Sequence, residues 1–210
     1  MEGTILKIIE ELNKVYRIEV RKDKPFEALI HGILSSRTKD EVTFQAQEKL
    51  LKKANTPEKI LKLSVKEIEK LIYPVGFYRV KAKRIKQACK FLIENFKGSV
   101  PNKREELMKI PGVGGKIADI ILLFGYSQKV IPVDVHVEVV AKRLGIADEK
   151  DAPEKVREKL HNLIPEKFRP IFNQLFVQFG REICQTRRPL CYKCPIIKYC
   201  PYEPKNLKQN

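Results

Sequence analysis

Apolar residues recur every three or four positions along most of this 210-residue chain, a spacing that predicts amphipathic α-helices. The clearest runs are Ile5, Ile8, Ile9 and Leu12, and Phe26, Leu29, Ile30, Ile33 and Leu34. Helix-start signals accompany them, because proline suits a first helical turn and Ser or Asn three residues before Glu can form a capping box. These signals are Pro25, Thr56-Pro57, Ser64 with Glu67, and Asn102 with Glu105. The sequence therefore predicts an all-α fold of about ten helices, with only Tyr16 to Val20 as a possible extended stretch.

The charge balance indicates the class of partner. Lys and Arg number 42 against 26 Asp and Glu, which gives a net charge of +16. A positive field of this size collects polyanions, so nucleic acid is the expected partner, although Lys-rich thermophile proteins can be basic without binding any. No run approaches the roughly 18 apolar residues of a membrane span, and the first twenty residues do not resemble a signal peptide. We expect a soluble, monomeric protein in the cytoplasm, associated with the nucleoid and without membrane contact.

Four cysteines lie within one 17-residue stretch, which we name the cysteine loop (residues 184–200). They are Cys184, Cys191, Cys194 and Cys200, and prolines interrupt the same stretch. Disulfides are disfavoured because thiols stay reduced inside cells, with hyperthermophiles as an exception. Four thiolates suit either a tetrahedral zinc ion or a four-iron four-sulfur cluster, and the single short Cys pair in one compact loop favours the cluster. The fifth cysteine, Cys89, falls among helical apolar positions and is predicted to be a buried filler.

A glycine-rich turn separates two predicted helices in residues 107–118, which we name the glycine hairpin. Gly112 and Gly114 flank Val113, and glycine permits backbone angles that are closed to other residues. Without side chains, the loop amides can approach an anion at the start of the next helix. The anion would be a DNA phosphate, which amides contact without reading base sequence. An ordinary helix-to-helix turn with a glycine cap is the alternative.

Two charged residues near the hairpin could form a catalytic pair. Lys116 follows the glycines and Asp134 lies eighteen residues later. From spacing alone, a surface lysine and a helix-capping aspartate are favoured over a catalytic pair, since Asp134 directly precedes a helical apolar pattern. Spacing alone therefore leaves the catalytic interpretation open.

In this order, these features resemble the endonuclease III family of DNA base-excision glycosylases, which contain a helix-hairpin-helix motif. The match covers nearly the whole chain. The matching segments are Ile33 to Asp40, Val75 to Ala82, Ile110 to Ala118, Val133 to His136 and the cysteine loop. The resemblance implies a two-domain all-α fold, with a six-helix domain in residues 25–128. It also implies an iron–sulfur domain formed by residues 1–24 and 129–210, and damaged double-stranded DNA bound in the groove between the domains.

The resemblance also implies site residues and a cofactor. Lys116 matches the family's lysine nucleophile and Asp134 its catalytic aspartate, in a reaction that forms a Schiff base and nicks the strand by β-elimination. The four cysteines match the ligands of a 4Fe-4S cluster with a structural role. DNA contacts are expected from the hairpin backbone, from Arg37 near the vacated stack, and from the basic residues of the cysteine loop. That last group consists of Arg187, Arg188, Lys193 and Lys198.

Three positions depart from the family pattern. Arg37 stands where bacterial members usually have Gln, which leaves the opposite-base preference open. Gly115 replaces a common arginine, and Phe179 replaces a common histidine.

Lys116 argues against two related activities. Adenine-mismatch glycosylases lack a lysine at this position and carry an extra C-terminal domain, and thymine-mismatch glycosylases usually have tyrosine there. The sequence therefore favours a glycosylase and AP lyase for oxidised pyrimidines. A thymine or uracil mismatch enzyme, or a non-catalytic DNA-binding or redox-sensing module, is the alternative.

Overall fold

The structure is a computed structural model that describes residues 2–208. These residues contain eleven α-helices and no β-strand, which confirms the all-α prediction; residues 17–20 are irregular. The helices are α1 (Glu2–Tyr16), α2 (Pro25–Ser35), α3 (Asp40–Lys53), α4 (Pro57–Lys62), α5 (Val65–Ile72), α6 (Tyr78–Phe96), α7 (Arg104–Leu107), α8 (Gly115–Ile120), α9 (Val135–Arg143), α10 (Pro153–Leu163) and α11 (Arg169–Glu182). A π-helical turn, Ile121–Gly125, continues α8. Short 3-10 turns lie at Glu166–Phe168, Cys191–Lys193 and Ile197–Tyr199.

Most of the predicted helix starts are confirmed. Pro25 and Pro57 each occupy the first position of a helix, where a missing N–H costs nothing. Ser64 and Glu67 form the predicted capping box: the Ser64 amide donates to Glu67 Oε2 at 2.7 Å, and the Glu67 amide donates to Ser64 Oγ at 3.2 Å. Local sequence therefore fixes where these helices begin.

The predicted capping box at Asn102 is wrong. Helix α7 begins at Arg104, its N-cap is Lys103, and no side chain caps it. The backbone before the helix is bonded elsewhere, because Gln128 Nε2 donates to the Asn102 carbonyl at 2.9 Å and the Tyr126 hydroxyl donates to the Val100 carbonyl. The segment before α7 is therefore held by side chains 26 positions away along the chain.

The chain divides into two compact units. The first, Lys22–Gln128, packs α2 to α8 around a core of fully buried aliphatic side chains such as Leu29 and Ile85. Cys89 is 0% exposed within α6 of this core, which confirms its role as a buried filler. At Gly125 a side chain would lie 2.9 Å from the Pro25 backbone, so the end of the π-helical turn packs closely against the start of α2.

The second unit, Met1–Arg21 with Lys129–Asn210, combines both ends of the chain. Its core joins α1, α9, α10 and α11 through residues such as Leu12, Val137 and Leu160, all 0% exposed. The rings of Phe172 and Phe176 stack with centroids 3.9 Å apart. Within residues 2–208, no helix combines the length and apolar character needed to cross a membrane.

Candidate functional site

The glycine hairpin is held by buried apolar side chains on its inner side. Helix α7 ends at Leu107 and α8 begins at Gly115. Between them, the Ile110 amide donates to the Leu107 carbonyl and the Val113 amide to the Ile110 carbonyl, each at 3.0 Å. Leu107, Ile110 and Val113 are at most 6% exposed. The turn is therefore built on a fixed apolar base, and the Val113 amide is already used within the protein.

The two glycines of the hairpin differ in what they require. Gly112 has a φ of +84°, a left-handed conformation that favours glycine, and a Cβ there would lie 3.2 Å from Arg84 Cδ. Gly114 has a φ of −97°, which any residue can adopt, and a Cβ there would have no atom within 4 Å. The expectation that both need special angles is thus wrong for Gly114. Its lack of a side chain instead leaves open space at the N-cap of α8.

Lys116 is exposed and is the second residue of α8. Its helix is fixed on two sides. Arg104 Nε donates to Asp119 Oδ1 at 3.1 Å, and the Asp119 side chain is only 1% exposed, so a buried ion pair joins α7 to α8. A Cβ at Gly32 would lie 2.7 Å from Ile117 Cγ2, so α2 packs directly against α8 beside Lys116. The lysine therefore extends from a rigid support.

Asp134 is the N-cap of α9 in the other unit, as its capping interpretation predicts. Its Oδ1 accepts hydrogen bonds from the amides of His136 and Val137, each at 3.0 Å, and the residue is half-buried. These bonds hold the carboxylate in a defined orientation. Capping does not exclude a second role, because a carboxylate has two oxygens and about four acceptor sites.

Arg37 lies beside an aromatic residue that sequence reasoning missed. Arg37 and Phe77 both have left-handed backbones, with φ of 51° and 57°. The Arg37 guanidinium lies 5.5 Å from the centroid of the Phe77 ring, and Phe77 is 60% exposed. A strained backbone on a large exposed residue often marks a functional position. The available signal was the aromatic residue after the Pro74-Val75-Gly76 turn, but its exposure could not be inferred from sequence.

Lys81 is a second residue that sequence reasoning missed, since it falls in a helical basic run that looks like a solvated face. It is 3% exposed, and its Nζ donates to the carbonyls of Leu34 and Ser36 at 2.7 and 2.6 Å and to Thr38 Oγ1 at 3.1 Å. Burial lowers the pKa of Lys81 to about 8, and the nearby Arg84 guanidinium acts in the same direction. A buried amine thus holds the segment that bears Arg37.

The four cysteines of the cysteine loop line one cavity. Phe179 and Ile196 are part of its apolar wall, so phenylalanine at position 179 is a core residue here. Burial raises the pKa of the Cys194 thiol to about 11, and charge on the other three cysteines acts in the same direction. Burial also raises the pKa of Cys184. The four cysteines therefore share one apolar space.

Arg143 connects α9 to the cysteine loop. Arg143 is 9% exposed, and its guanidinium donates to the carbonyls of Cys184, Gln185 and Thr186 at 2.8 to 3.0 Å. It also lies 3.3 Å from Cys184 Sγ and 4.8 Å from the centroid of the Tyr202 ring. A buried cation beside four thiols can offset the negative charge that four thiolates would bring. The residues therefore fit a group that binds four thiolates.

The described residues contain no preformed site for a metal ion. Within residues 2–208, no three His, Cys, Asp or Glu side chains are grouped so that they could hold a metal ion. A single zinc ion needs its sulfur ligands about 2.3 Å from one point, whereas an iron–sulfur cluster takes each cysteine on a different iron.

The basic residues of the cysteine loop differ in their surroundings. Arg188 and Lys193 are exposed, and Lys193 Nζ lies 5.5 Å from the Tyr192 ring centroid. Lys198 forms an ion pair with Glu11 of α1 at 2.8 Å, and its neighbour Tyr199 donates to the same carboxylate at 3.0 Å. The positive charge of Lys198 is therefore partly neutralised within the protein.

The chain is similar to known proteins over nearly its whole length. A family model described as HhH-GPD superfamily base excision DNA repair protein matches residues 30–166. Endonuclease III of Thermotoga maritima is 37% identical over 198 residues, which cover 94% of this chain and 92% of that protein. Endonuclease III of Bacillus subtilis is 35% identical over 182 residues, covering 87% and 83%.

The chain is also similar to solved structures over nearly its whole length. A trapped endonuclease III–DNA covalent intermediate, an estranged-adenine complex, matches with a TM-score of 0.87 and 33% identity over 96% of both chains. A thermostable thymine-DNA glycosylase matches with a TM-score of 0.84 over 95% of this chain and 96% of that chain. Its 24% identity makes that likeness one of fold alone.

Proposed function

We propose that this chain excises oxidised pyrimidines from duplex DNA. It belongs to the HhH-GPD superfamily of base excision DNA repair proteins and, within it, to the endonuclease III family. As a member it is a DNA N-glycosylase and AP lyase. The observation that carries the proposal is the similarity to endonuclease III over 94% of the chain. The structure agrees with this proposal, because Lys116 is exposed on α8 and the buried Arg104–Asp119 ion pair holds that helix in place.

Lys116 is the proposed nucleophile. A duplex hides the glycosidic bond, so the damaged nucleotide must leave the stack before an amine can reach it. The neutral amine of Lys116 attacks the anomeric carbon, the glycosidic bond breaks, and the base leaves with a proton. Opening of the sugar ring gives an iminium ion, which acidifies the neighbouring sugar proton. Loss of that proton expels the 3′ phosphate and nicks the strand.

Asp134 is the proposed partner of this chemistry. Developing positive charge on the sugar is stabilised by a carboxylate whose orientation is already fixed, because no reorganisation is then needed during the reaction. Hydrogen bonds from the His136 and Val137 amides supply that fixed orientation. Capping and catalysis are therefore compatible roles for one carboxylate.

Cys184, Cys191, Cys194 and Cys200 are the proposed ligands of a 4Fe-4S cluster. When bound, the cluster supplies four iron–thiolate bonds that cross-link the loop, and we assign it no part in the reaction. The shared apolar cavity and the Arg143 guanidinium beside Cys184 suit a group bound by four thiolates, and the compact cysteine spacing together with the similarity to endonuclease III favours the cluster over zinc. A fixed cysteine loop would hold Arg188 and Lys193 so that they can contact phosphates.

Duplex DNA is the proposed partner. Two structurally similar complexes of endonuclease III with DNA support this proposal. The open space at Gly114 and the N–H groups in the first turn of α8 suit a phosphate, since those groups have no partner within their own helix. Arg37 and Phe77 form an exposed pair on one loop surface. We propose that this pair fills the gap that a flipped nucleotide leaves in the duplex. There the Arg37 guanidinium can form hydrogen bonds with the base that has lost its pairing partner.

The test is excision and nicking on a panel of duplexes carrying thymine glycol, dihydrouracil, an abasic site, a G·T mismatch or a G·U mismatch. Wild type should process the first three. Lys116→Ala should lose nicking but bind damaged DNA within about tenfold of wild type, because many cationic contacts remain. Lys109→Ala, an exposed lysine of the same hairpin, is the matched control and should retain both activities.

The same panel separates the alternatives. Processing of the mismatches alone would identify a mismatch glycosylase. Tight binding without excision of any lesion would identify a non-catalytic module. Either outcome overturns the proposed function.

A further inference from the structure

Lys81 uses all three of its N–H donors inside the protein. Its acceptors are the carbonyls of Leu34 and Ser36 and the hydroxyl of Thr38, at 2.6 to 3.1 Å. All three lie at the C-terminal end of α2 or just beyond it, where helix carbonyls lack partners within the helix and carry partial negative charge. The ammonium therefore caps α2 from a different helix, α6, 43 to 47 residues away along the chain.

The same network extends to a second loop. Thr38 Oγ1 also accepts a hydrogen bond from the Gly76 amide at 3.2 Å. The two loops touch closely, because a Cβ at Gly76 would lie 2.6 Å from the Arg37 carbonyl oxygen. Residues 36–38 and 75–77 thus form one unit, which we name the paired loops, and Lys81 is bonded to its junction. The paired loops bear the Arg37 guanidinium and the Phe77 ring.

Two simpler roles for Lys81 fit less well. At 3% exposure its ammonium cannot reach a phosphate from solvent. A purely stabilising role is also unexpected, because burying a charge costs free energy that hydrogen bonds often do not recover. A buried charged residue can nevertheless fix one arrangement among several, since each acceptor would lose its partner in any other.

We propose that Lys81 is a positioning residue that holds the paired loops in one arrangement, so that Arg37 and Phe77 enter the gap together. Lys81 thereby sets the preference for the base opposite the lesion without touching DNA. This inference rests on the proposed role of Arg37 in the gap. The preference for the opposite base then depends on a buried lysine on α6, whereas the bond-breaking chemistry depends on Lys116.

The first measurement needs no DNA. Lys81→Met removes the three donors and keeps the length of the side chain, and Lys83→Met, an exposed lysine on the same helix, is the matched control. Hydrogen exchange at the Gly76 amide should quicken by at least about tenfold in Lys81→Met and stay unchanged in the control, because the partner of that amide is no longer held. Unchanged exchange in Lys81→Met would overturn the inference.

The second measurement is the single-turnover excision rate on one lesion opposite each of the four bases. Lys81→Met should reduce the ratio between the best and worst opposite base by about fivefold or more, with an unchanged salt slope, and Lys81→Arg should restore part of it. Adding Lys81→Met to Arg37→Ala should then cause little further loss. An equal rate loss opposite all four bases would mean a merely structural role and contradict the inference.

Two further variants distinguish a failure of the role proposed for Lys81 from a failure of the role proposed for Arg37. If Lys81→Met does not fold, Thr38→Val removes the same junction and should give the same loss of preference. If Arg37→Ala flattens the preference but the Lys81 and Thr38 variants do not, the inference fails while the gap role of Arg37 stands. If Arg37→Ala leaves the preference intact, the gap role fails and the selectivity assigned to Lys81 fails with it.

Discussion

The glycine hairpin and the cysteine loop are both short irregular segments to which we assign DNA phosphates, yet the chain holds them by different means. The hairpin has buried apolar residues on its inner side and the buried Arg104–Asp119 ion pair across its helices. The cysteine loop buries only Pro189 and Ile196 among residues 184–200 and is bonded from outside by Arg143. Protein contacts therefore suffice for the hairpin, whereas the cysteine loop needs the cross-links that we assign to a cluster.

The largest effect should come from removing one proposed ligand. Cys191→Ser should abolish iron binding and visible absorbance, raise hydrogen exchange throughout residues 184–200 and weaken DNA binding, while the hairpin keeps its protection. Cys89→Ala, which alters the buried cysteine outside the loop, is the control and should retain the iron. Protein prepared without air that contains zinc and no iron would contradict the proposed cluster. Slow hydrogen exchange in the cysteine loop without any metal would contradict the conclusion that the loop needs cross-links.

A smaller effect is expected when the hairpin's own support is removed. Asp119→Asn breaks the buried pair with Arg104 and should lower the free energy of unfolding by about 3 kcal/mol, without changing iron content. Glu94→Gln breaks the exposed Lys90–Glu94 pair and should cost no more than about 0.5 kcal/mol. Urea unfolding measures both. Equal costs would mean that the buried pair does not hold the hairpin.

The two hairpin glycines should respond differently to an added methyl group. Gly112→Ala should destabilise the protein by about 1 to 2 kcal/mol, because alanine is strained at a φ of +84°. Gly114→Ala should change stability by less than about 0.5 kcal/mol, since its conformation is ordinary and its surroundings are open. It should nevertheless weaken DNA binding, because the methyl group occupies the space we assign to a phosphate. Unaltered binding would remove Gly114 from the interface.

The smallest effect concerns two basic residues of the cysteine loop. Arg188→Ala should lower affinity for undamaged duplex and make the plot of log affinity against log salt shallower by about one unit. Lys198→Ala should change that slope less, because Lys198 is already paired with Glu11. Filter binding between low and moderate salt measures both slopes. A larger change for Lys198 would show that its ion pair opens on DNA.

Local physics explains what the sequence predicted well. Helix spacing and the caps at Thr56 and Ser64 depend on residues within one turn of one another, so they could be inferred directly. The cap at Asp134 is of the same kind. The Asn102 cap was predicted wrongly because α7 begins one residue later, at Arg104 with Lys103 as its N-cap, and the segment before it is held by side chains 26 positions away that no local rule contains.

The missed residues are those whose partners are distant along the chain. Lys81 bonds residues 43 to 47 positions away, and Arg143 bonds carbonyls 41 to 43 positions away. In sequence each is one of many basic residues on a helix. Phe77 was missed because neither its exposure of 60% nor its left-handed backbone can be inferred from an aromatic residue next to a turn.

The atom that attacks the sugar can be identified directly. Wild-type protein would be incubated with an abasic duplex and borohydride, digested with trypsin and mapped by mass spectrometry. Modified Lys116 resists trypsin, so attack by Lys116 should give one sugar-bearing peptide, Ile110 to Lys129, with an uncleaved bond after Lys116. A sugar on Lys109, Lys81 or any other amine, with Lys116 cleaved normally, would contradict it.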